Sequence, residues 1–226
     1  MRFLFVGDSM TIGSAGDYSW RYRMWQHLSS TCPHEIVGPR TELYDIEAGA
    51  AVSTAYADPA FPAPARRHLA GWGEGWLHMA PLIRETVAAE RADVLLVSLG
   101  LIDLGFYTDS DQTAANVREF IGEARAANPH VRMVLLPVIP NVRAESDAPF
   151  AAECDRFNVL LAKAVADLDT ARSPILLASR PASYDIHVDT YDGTHPGPSG
   201  ERKLAGAFAD AMHQAWGLGG PYRWGA

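Results

Sequence analysis

The sequence is poor in cysteine, and its basic residues form no large cluster. Two cysteines in 226 residues, Cys32 and Cys154, are too few for a disulfide framework. We expect two buried thiols, with a single bridge as the alternative. The formal net charge is −8, and the cluster Arg66–His68 is too small for a nucleic-acid surface. Nucleic acid is therefore not an expected partner.

Long hydrophobic runs are also missing. No apolar segment approaches the roughly 20 residues that a membrane-spanning helix needs, so we expect no membrane partner. The first residues, Met1–Val6, are needed for a core strand and lack the apolar length and cleavage site of a signal peptide. The chain as written is therefore expected to be cytoplasmic, whereas a longer precursor with a signal peptide would make it a secreted protein.

Strand and helix signals alternate along the chain. Apolar strand patterns occur in five places: Phe3–Phe5, Glu35–Val37, Asp93–Gly100, Val131–Leu136 and Pro174–Leu177. Helical spacing or composition occurs between and after them: Trp20–Leu28, Leu77–Arg91, Thr113–Ala127, Ala148–Leu168 and Ser199–Trp216. The alternation predicts one α/β domain over residues 1–226, a three-layer α/β/α sandwich with a five-stranded parallel sheet.

One region, Ala48–Gly75, is rich in alanine, proline and glycine and has no regular period. A loop of this length inside a compact domain is usually functional or partly structured. Glycines and tryptophans are concentrated in Arg67–Trp76. We interpret the region as a binding loop that supplies backbone amides and an aromatic wall; the alternative is a surface loop packed down by its own tryptophans.

A possible nucleophile follows the first predicted strand. Right-handed crossovers place the strand-to-helix loops along one sheet edge, so Gly7–Ser9, Gly100–Asp103 and the segment after Pro137 should meet. A serine hydroxyl there becomes nucleophilic when an imidazole takes its proton and a carboxylate orients that imidazole. Ser9, His195 and Asp192 are the candidates for these three roles, and such a site needs no metal or organic cofactor.

These residues do not fit the common nucleotide-binding motifs or the α/β-hydrolase motif. Gly7–Gly13 lacks the lysine ending of a phosphate loop, the glycine pattern of a dinucleotide fold, and the second glycine of the α/β-hydrolase elbow. A metal site competes for the region near His195, where five possible ligands occur: Asp185, His187, Asp189, Asp192 and His195. We do not favour it, because catalytic metals usually draw ligands from several strand ends.

Two blocks of this sequence resemble those of a known family. Gly7–Ser9 is similar to the first block of the GDSL or SGNH hydrolases, which are serine esterases and acylhydrolases, and Asp192–Pro196 is similar to the last. The resemblance spans nearly the whole chain. It implies a flavodoxin-like topology, with Ser9 as nucleophile, His195 as base and Asp192 as its orienting acid.

The resemblance also implies an oxyanion hole with three donors. These are the nucleophile's own N–H, here that of Ser9, a glycine N–H from a second block and an asparagine amide from a third. The stretch His68–Gly73 is similar in spacing to one in carbohydrate-esterase-like members, which selects Gly73. Gly71 and Gly49 are the alternatives.

The third block departs from the family pattern. Ser98–Leu104 is similar to the family's Gly-x-Asn-Asp stretch, but Ile102 stands in the place of the asparagine. Losing one oxyanion donor typically costs roughly 100- to 1,000-fold in rate. Either another side chain such as Asn141 supplies the donor, or two backbone donors suffice, or the site no longer hydrolyses.

These observations predict a serine hydrolase for a small-molecule carboxylic ester, with a short acyl group on a sugar or another polar molecule. A long-chain lipid is a less expected substrate, because the sequence shows no extended exposed apolar segment. The alternatives are an acyltransferase with the same triad and a catalytically silent binding module. The sequence carries no signal for the oligomeric state. We expect four further residues to contact the substrate: Asp8, Trp72, Ile102 and Asp103.

Overall fold

The computed structural model describes residues 1–224, so the last two residues of the predicted domain lie outside the described part. Its strands are β1 (Arg2–Gly7), β2 (Glu35–Val37), β3 (Leu43–Asp45), β4 (Ala50–Ser53), β5 (Leu69–Ala70), β6 (Val94–Ser98), β7 (Arg132–Leu136) and β8 (Ile175–Leu177). Its α-helices are α1 (Ser9–Ile12), α2 (Ser19–Thr31), α3 (Trp76–Glu90), α4 (Ser110–Ala127), α5 (Ala148–Leu168), α6 (Ile186–Asp189) and α7 (Pro198–Trp216).

The central sheet is parallel, in the order β2-β1-β6-β7-β8, and β5 continues beside β1 beyond the end of β2. Counted along the chain without β5, this is the flavodoxin-like order 2-1-3-4-5. Helix α2 packs against α7, while α3, α4 and α5 pack in series. The predicted three-layer α/β/α architecture with a parallel sheet is therefore confirmed.

Apolar side chains on the central strands form the core. Phe3–Val6 and Val94–Val97 are fully buried, as the unbroken apolar runs predicted. Trp20 of α2 meets Phe5 edge-on at 5.3 Å between ring centroids and stacks on Phe208 of α7 at 4.7 Å. Each such side chain contributes about 1.5–3 kcal/mol through burial, which makes the sheet a rigid support for the loops at its edge.

The region Ala48–Gly75 is more regular than the sequence indicated. Strand β4 lies within it and pairs antiparallel with β3 to form a separate hairpin. Strand β5 extends the central sheet to six strands, one more than the five predicted. Strands of two to four residues are too short to show a period in the sequence. The prediction of an irregular loop is therefore wrong for Ala50–Ser53 and for Leu69–Ala70.

Both cysteines are free thiols, so the alternative of a single bridge is wrong. Cys154 is buried in α5, whereas Cys32, which follows α2, is only half-buried. Across residues 1–224, no helix combines the length and apolarity that a membrane crossing needs.

Candidate active site

The first strand delivers Ser9 to the sheet edge through a tight turn. A Cβ on Gly7 would lie only 2.8 Å from the carbonyl oxygen of Ser98, so this close approach of β1 and β6 requires glycine. Asp8 then caps α1, because its Oδ1 accepts the N–H of Met10 at 3.0 Å. Ser9 is the first residue of the helix, at the point where the strand order of the sheet reverses.

Three side chains form a hydrogen-bonded chain at this edge. Asp192 Oδ2 lies 2.6 Å from His195 Nδ1, and His195 Nε2 lies 3.0 Å from Ser9 Oγ. The other carboxylate oxygen of Asp192 accepts the backbone N–H groups of Thr194 and His195. Burial raises the pKa of Asp192, but these hydrogen bonds outweigh it and hold the pKa below its usual range. Asp192 is therefore ionised and able to hold a proton on His195 Nδ1.

A buried arginine holds α1, the helix that begins at Ser9, in place. The guanidinium of Arg21, which is fully buried, donates to the carbonyl oxygens of Thr11 and Ile12 at the end of α1. It also donates to the carbonyl of Arg66 and the hydroxyl of Tyr56. This ties α1 to the Ala48–Gly75 region, a role for which the sequence around Arg21 gives no signal.

A cavity of about 380 Å³ opens beside Ser9. Its lining combines the serine and histidine with an apolar wall and a few polar groups: Ser9, Trp72, Gly73, Leu101, Ile102, Gly105, Phe106, Tyr107, Asn141, Arg143, Phe150, Thr194 and His195. Phe106 and Tyr107 are 76% and 52% exposed at its rim. The cavity thus brings together residues from five separate segments of the chain.

Among the three candidate glycines, only Gly73 lines this cavity. Its φ of +73° favours glycine, and a Cβ there would meet nothing within 4 Å. The N–H of Gly71 donates to the carbonyl of Gly7 at 3.1 Å, and Gly49 sits in the exposed turn between β3 and β4. The N–H of Gly71 is thus paired within the fold and Gly49 does not line the cavity, so Gly73 stays the first candidate for the oxyanion donor.

Ile102 and Asn141 both line the cavity. Asn141 Nδ2 donates to the hydroxyl of Thr194 at 3.1 Å, and its Oδ1 accepts the N–H of Arg143 at 3.2 Å. These bonds fix the amide and engage one of its two N–H groups. Asn141 therefore stays a candidate for the donor that Ile102 does not provide.

Two of the residues expected to contact the substrate do not line this cavity. Asp8 and Asp103 are 2% and 0% exposed and do not line the cavity beside Ser9. Asp103 instead caps α3, because its two oxygens accept the N–H groups of Trp76 and Leu77 at 2.8 and 3.0 Å. Asp8 is adjacent to Ser9 in the sequence and Asp103 to Ile102, but neither carboxylate reaches the cavity.

The loop that carries Gly73 depends on a buried histidine. His68 is fully buried, its Nδ1 accepts the N–H of Ala70 at 3.1 Å, and its Nε2 lies 3.0 Å from the carbonyl oxygen of Glu42. Burial lowers the pKa of His68 well below its usual value, so the ring is neutral and the Nε2–H donates to that carbonyl. In the sequence, His68 was only the first residue of the stretch His68–Gly73. In the structure, its hydrogen bonds support the backbone that leads to Gly73.

Aromatic rings stack next to His195. The Trp72 ring lies 4.6 Å from that of His195 at 19°, and Tyr44 stacks on Trp72 at 4.3 Å and 14°. Tyr191 lies nearly parallel to His195 at 5.8 Å. Trp72 lines the cavity as the sequence predicted, but the contributions of Tyr44 and Tyr191 follow only from the tertiary structure.

The sequence also matches a known protein family over most of its length. The model of the GDSL-like lipase/acylhydrolase family matches residues 5–203, from β1 into α7. The chain belongs to this family. It is therefore a carboxylic ester hydrolase, as the motifs of the two blocks predicted. A comparison with curated protein sequences finds no match.

Solved structures share the fold of this GDSL-family esterase. A mutant acetyl esterase crystallised with acetate ion is 23% identical, with a TM-score of 0.76 over 95% of this chain and 97% of that one. A family 3 carbohydrate esterase from Talaromyces cellulolyticus is 24% identical, with the same TM-score and coverage. A family 3 carbohydrate esterase from Clostridium thermocellum is 18% identical, with a TM-score of 0.74 over 97% and 99%. At these identities the likeness establishes the fold alone.

The side chains of the competing metal interpretation have other partners in this esterase. Asp189 accepts from Lys203 Nζ at 2.7 Å, and His187 Nε2 lies 2.6 Å from Glu145 Oε1. His195 faces Ser9 and Asp192. Within residues 1–224, no group of three or more potential ligands is arranged to hold a metal ion.

We expect Asp8 to make the stability of the esterase depend on pH. Burial raises the pKa of Asp8 from 3.8 to about 7, so the folded state retains a proton that the unfolded chain loses above about pH 4. Its contribution to stability therefore falls as the pH rises from about 4 to 7, by at most about 4 kcal/mol. Asp8→Asn, which keeps the acceptor for Met10, should remove that dependence in urea unfolding at pH 4.5 and 7.5.

The comparison uses the difference between wild type and variant, because burial also raises the pKa of Glu201 to about 7. Asp109→Asn, the same exchange at the exposed cap of α4, reports the effect of the substitution itself. Equal slopes for wild type and Asp8→Asn between pH 4.5 and 7.5 would contradict the prediction.

Proposed function

We propose that this esterase cleaves a short acyl group from a sugar or another polar small molecule, through a Ser9-His195-Asp192 triad and an acyl-enzyme. The observation that carries the proposal is the continuous hydrogen-bonded chain from Asp192 through His195 to Ser9, at 2.6 and 3.0 Å. A serine is activated by this arrangement, because the imidazole accepts its proton while the carboxylate stabilises the resulting cation.

The reaction runs in two halves. Ser9 Oγ attacks the acyl carbon, its proton passes to His195 Nε2, and the N–H groups of Ser9 and Gly73 stabilise the oxyanion. The imidazolium then protonates the leaving alcohol, which leaves an ester on Ser9. Water attacks that ester, His195 accepts its proton, and collapse returns the hydrogen to Ser9 as the carboxylic acid departs.

The proposed substrate class is supported by the size and lining of the cavity. A volume of about 380 Å³ lies within the roughly 300–1,000 Å³ of small-molecule sites. The exposed faces of Phe106 and Tyr107 at the rim suit a ring in the alcohol part. The similar structures described as acetyl esterase and family 3 carbohydrate esterases support a short acyl group on a carbohydrate.

The test is hydrolysis of small acetyl esters, of p-nitrophenol and of acetylated sugars, together with labelling by a fluorophosphonate. Turnover and labelling of the pure protein are the expected result. Acyl products formed only with an added alcohol would favour an acyltransferase. Absence of labelling on folded protein would favour a silent binding module, the alternative that Ile102 motivates because it donates no hydrogen bond to an oxyanion.

We expect Ile102→Asn to raise kcat, by up to about 100-fold, because it restores a side-chain donor beside Ser9. Ile102→Leu is the matched control, since it retains the apolar volume and should leave kcat near the wild-type value. Steady-state kinetics on p-nitrophenyl acetate measures both. An unchanged kcat in the asparagine variant would show that the donor is already supplied elsewhere, with Asn141 the next residue to substitute.

A further inference from the structure

His195 lies in a loop that has little regular structure of its own. It follows α6 and precedes α7, and its backbone is held by a bridge between Thr190 and Pro196 and by the N–H of Tyr191 donating to the carbonyl of His195 at 3.1 Å. Loops of this kind are the more mobile parts of a protein. A general base has to stay within hydrogen-bond reach of its serine, so the imidazole needs support beyond Asp192.

Trp72 provides a surface against the ring of His195. The two rings are nearly parallel, at 19°, with centroids 4.6 Å apart. Tyr44 in turn stacks on Trp72 at 4.3 Å, and it is not among the residues that line the cavity. The three rings Tyr44, Trp72 and His195 therefore form a column, which we call the aromatic column, that ends at the proposed base.

The column is fixed to the segment that directly follows the nucleophile's helix. The N–H of Tyr44 donates to the carbonyl of Gly13 at 2.9 Å, and the N–H of Ala15 donates to the carbonyl of Tyr44 at 2.8 Å. Between them, Ser14 Oγ lies 3.0 Å from the hydroxyl of Tyr191, whose ring is the second one nearly parallel to His195. The segment after α1 thus holds Tyr44, which backs Trp72, and also Tyr191, which lies beside His195.

The contact between Trp72 and His195 also becomes stronger during the proposed reaction. His195 is neutral in the resting enzyme of the proposed mechanism and becomes an imidazolium when it takes the proton of Ser9. The face of an indole attracts a cationic imidazolium ring more strongly than it attracts a neutral imidazole ring. A contact that strengthens in the transition state raises kcat without tightening substrate binding.

We infer that Trp72, backed by Tyr44, is a positioning residue for His195, which fixes the plane of the imidazole and stabilises its cationic form during acyl transfer. The inference rests on the proposed function. It differs from the sequence-based expectation for Trp72, which was a contact with the substrate. The two roles are separable by kinetics, because a substrate wall acts on KM whereas a support of the base acts on kcat.

The experiment compares Trp72→Leu, Trp72→Phe and Trp25→Leu in steady-state hydrolysis of p-nitrophenyl acetate. Trp25 is the matched control: it is another half-buried tryptophan, and it packs on Tyr22 and Phe61 away from the cavity. We expect Trp72→Leu to lower kcat about 10- to 100-fold with KM within about twofold of wild type. Trp72→Phe, which keeps a ring, should recover most of kcat, and Trp25→Leu should leave both constants unchanged.

Tyr44→Leu is the second variant, because it alters the column without touching His195 or the cavity. A loss of about 3- to 10-fold in kcat at constant KM is expected, and this variant decides the question if Trp72→Leu does not fold. A raised KM with unchanged kcat in the Trp72 and Tyr44 variants would overturn the inference. Wild-type protein that neither hydrolyses esters nor reacts with a fluorophosphonate would overturn the proposed function instead, and this role with it.

Discussion

Ser9→Ala is expected to lower kcat by about 10⁵-fold on any ester that the wild-type protein hydrolyses. The alanine has no oxygen to attack the acyl carbon, and His195 Nε2, now 3.0 Å from an empty position, has no proton to accept. Water that attacks the ester directly is a far weaker nucleophile than the activated serine. The rate that remains comes from substrate binding and the oxyanion donors alone. The measurement is hydrolysis of p-nitrophenyl acetate by the purified variant.

Ser30→Ala is the matched control for this experiment. Ser30 is an exposed serine near the end of α2, and its hydroxyl donates to the carbonyl of His27, away from the cavity. It should retain wild-type kcat and fluorophosphonate labelling, while Ser9→Ala loses both. Labelling that persists in Ser9→Ala would identify another nucleophile and contradict the assignment of Ser9.

Asp192→Asn is expected to lower kcat by about 10⁴-fold with little loss of stability. Asparagine retains an oxygen that accepts the N–H groups of Thr194 and His195, so the turn keeps its shape. Its NH₂ group replaces the oxygen that lies 2.6 Å from His195 Nδ1, and this donor favours the tautomer in which Nδ1 accepts. Nε2 then carries the hydrogen and cannot take the proton of Ser9.

Asp185→Asn is the control for the Asp192 variant, because Asp185 makes the same kind of turn. Its Oδ1 accepts the N–H of His187, two residues ahead, at 2.9 Å, but Asp185 makes no hydrogen bond to His195. We expect kcat close to wild type for this variant. A loss below about tenfold in Asp192→Asn would show that the carboxylate is not the partner that sets the tautomer of His195.

The expected effects of the two substitutions are not additive. In the proposed mechanism Ser9, Asp192 and His195 act on one proton transfer, so the double variant Ser9→Ala/Asp192→Asn should be about as slow as Ser9→Ala alone. Near-multiplicative losses would indicate that Asp192 contributes through some route other than His195. The same steady-state assay measures all three proteins.

Much of the fold could be predicted from the sequence because long buried elements leave a strong pattern. The unbroken apolar runs in β6 and β7 identified parallel strands, and α5 begins and ends where its helical pattern does. The shorter elements could not be predicted, because they are too short to leave such a pattern. Strand β5 has two residues and α1 has four, which is less than the length over which hydrophobic periodicity can be recognised.

The candidate site was predictable where a residue's chemistry and its spacing agree. Asp192 and His195 are three residues apart, and one turn of chain suffices to join their side chains. Asp8 and Asp103 show the limit of such reasoning. Both lie beside residues that line the cavity, yet each carboxylate turns inward to cap a helix, α1 for Asp8 and α3 for Asp103.

The sequence by itself determined the parallel α/β architecture and the three residues of the proposed triad, because apolar patterns and local motifs are encoded by neighbouring residues. The tertiary structure alone decided that Gly73 rather than Gly71 lines the cavity, and that Trp72 stacks on His195. It also decided that Ile102 lines the same cavity as Ser9 and Asn141. These features of the site depend on which backbone N–H groups are already hydrogen-bonded and on which rings meet across separate loops. Contacts of this kind leave no periodic pattern in the sequence.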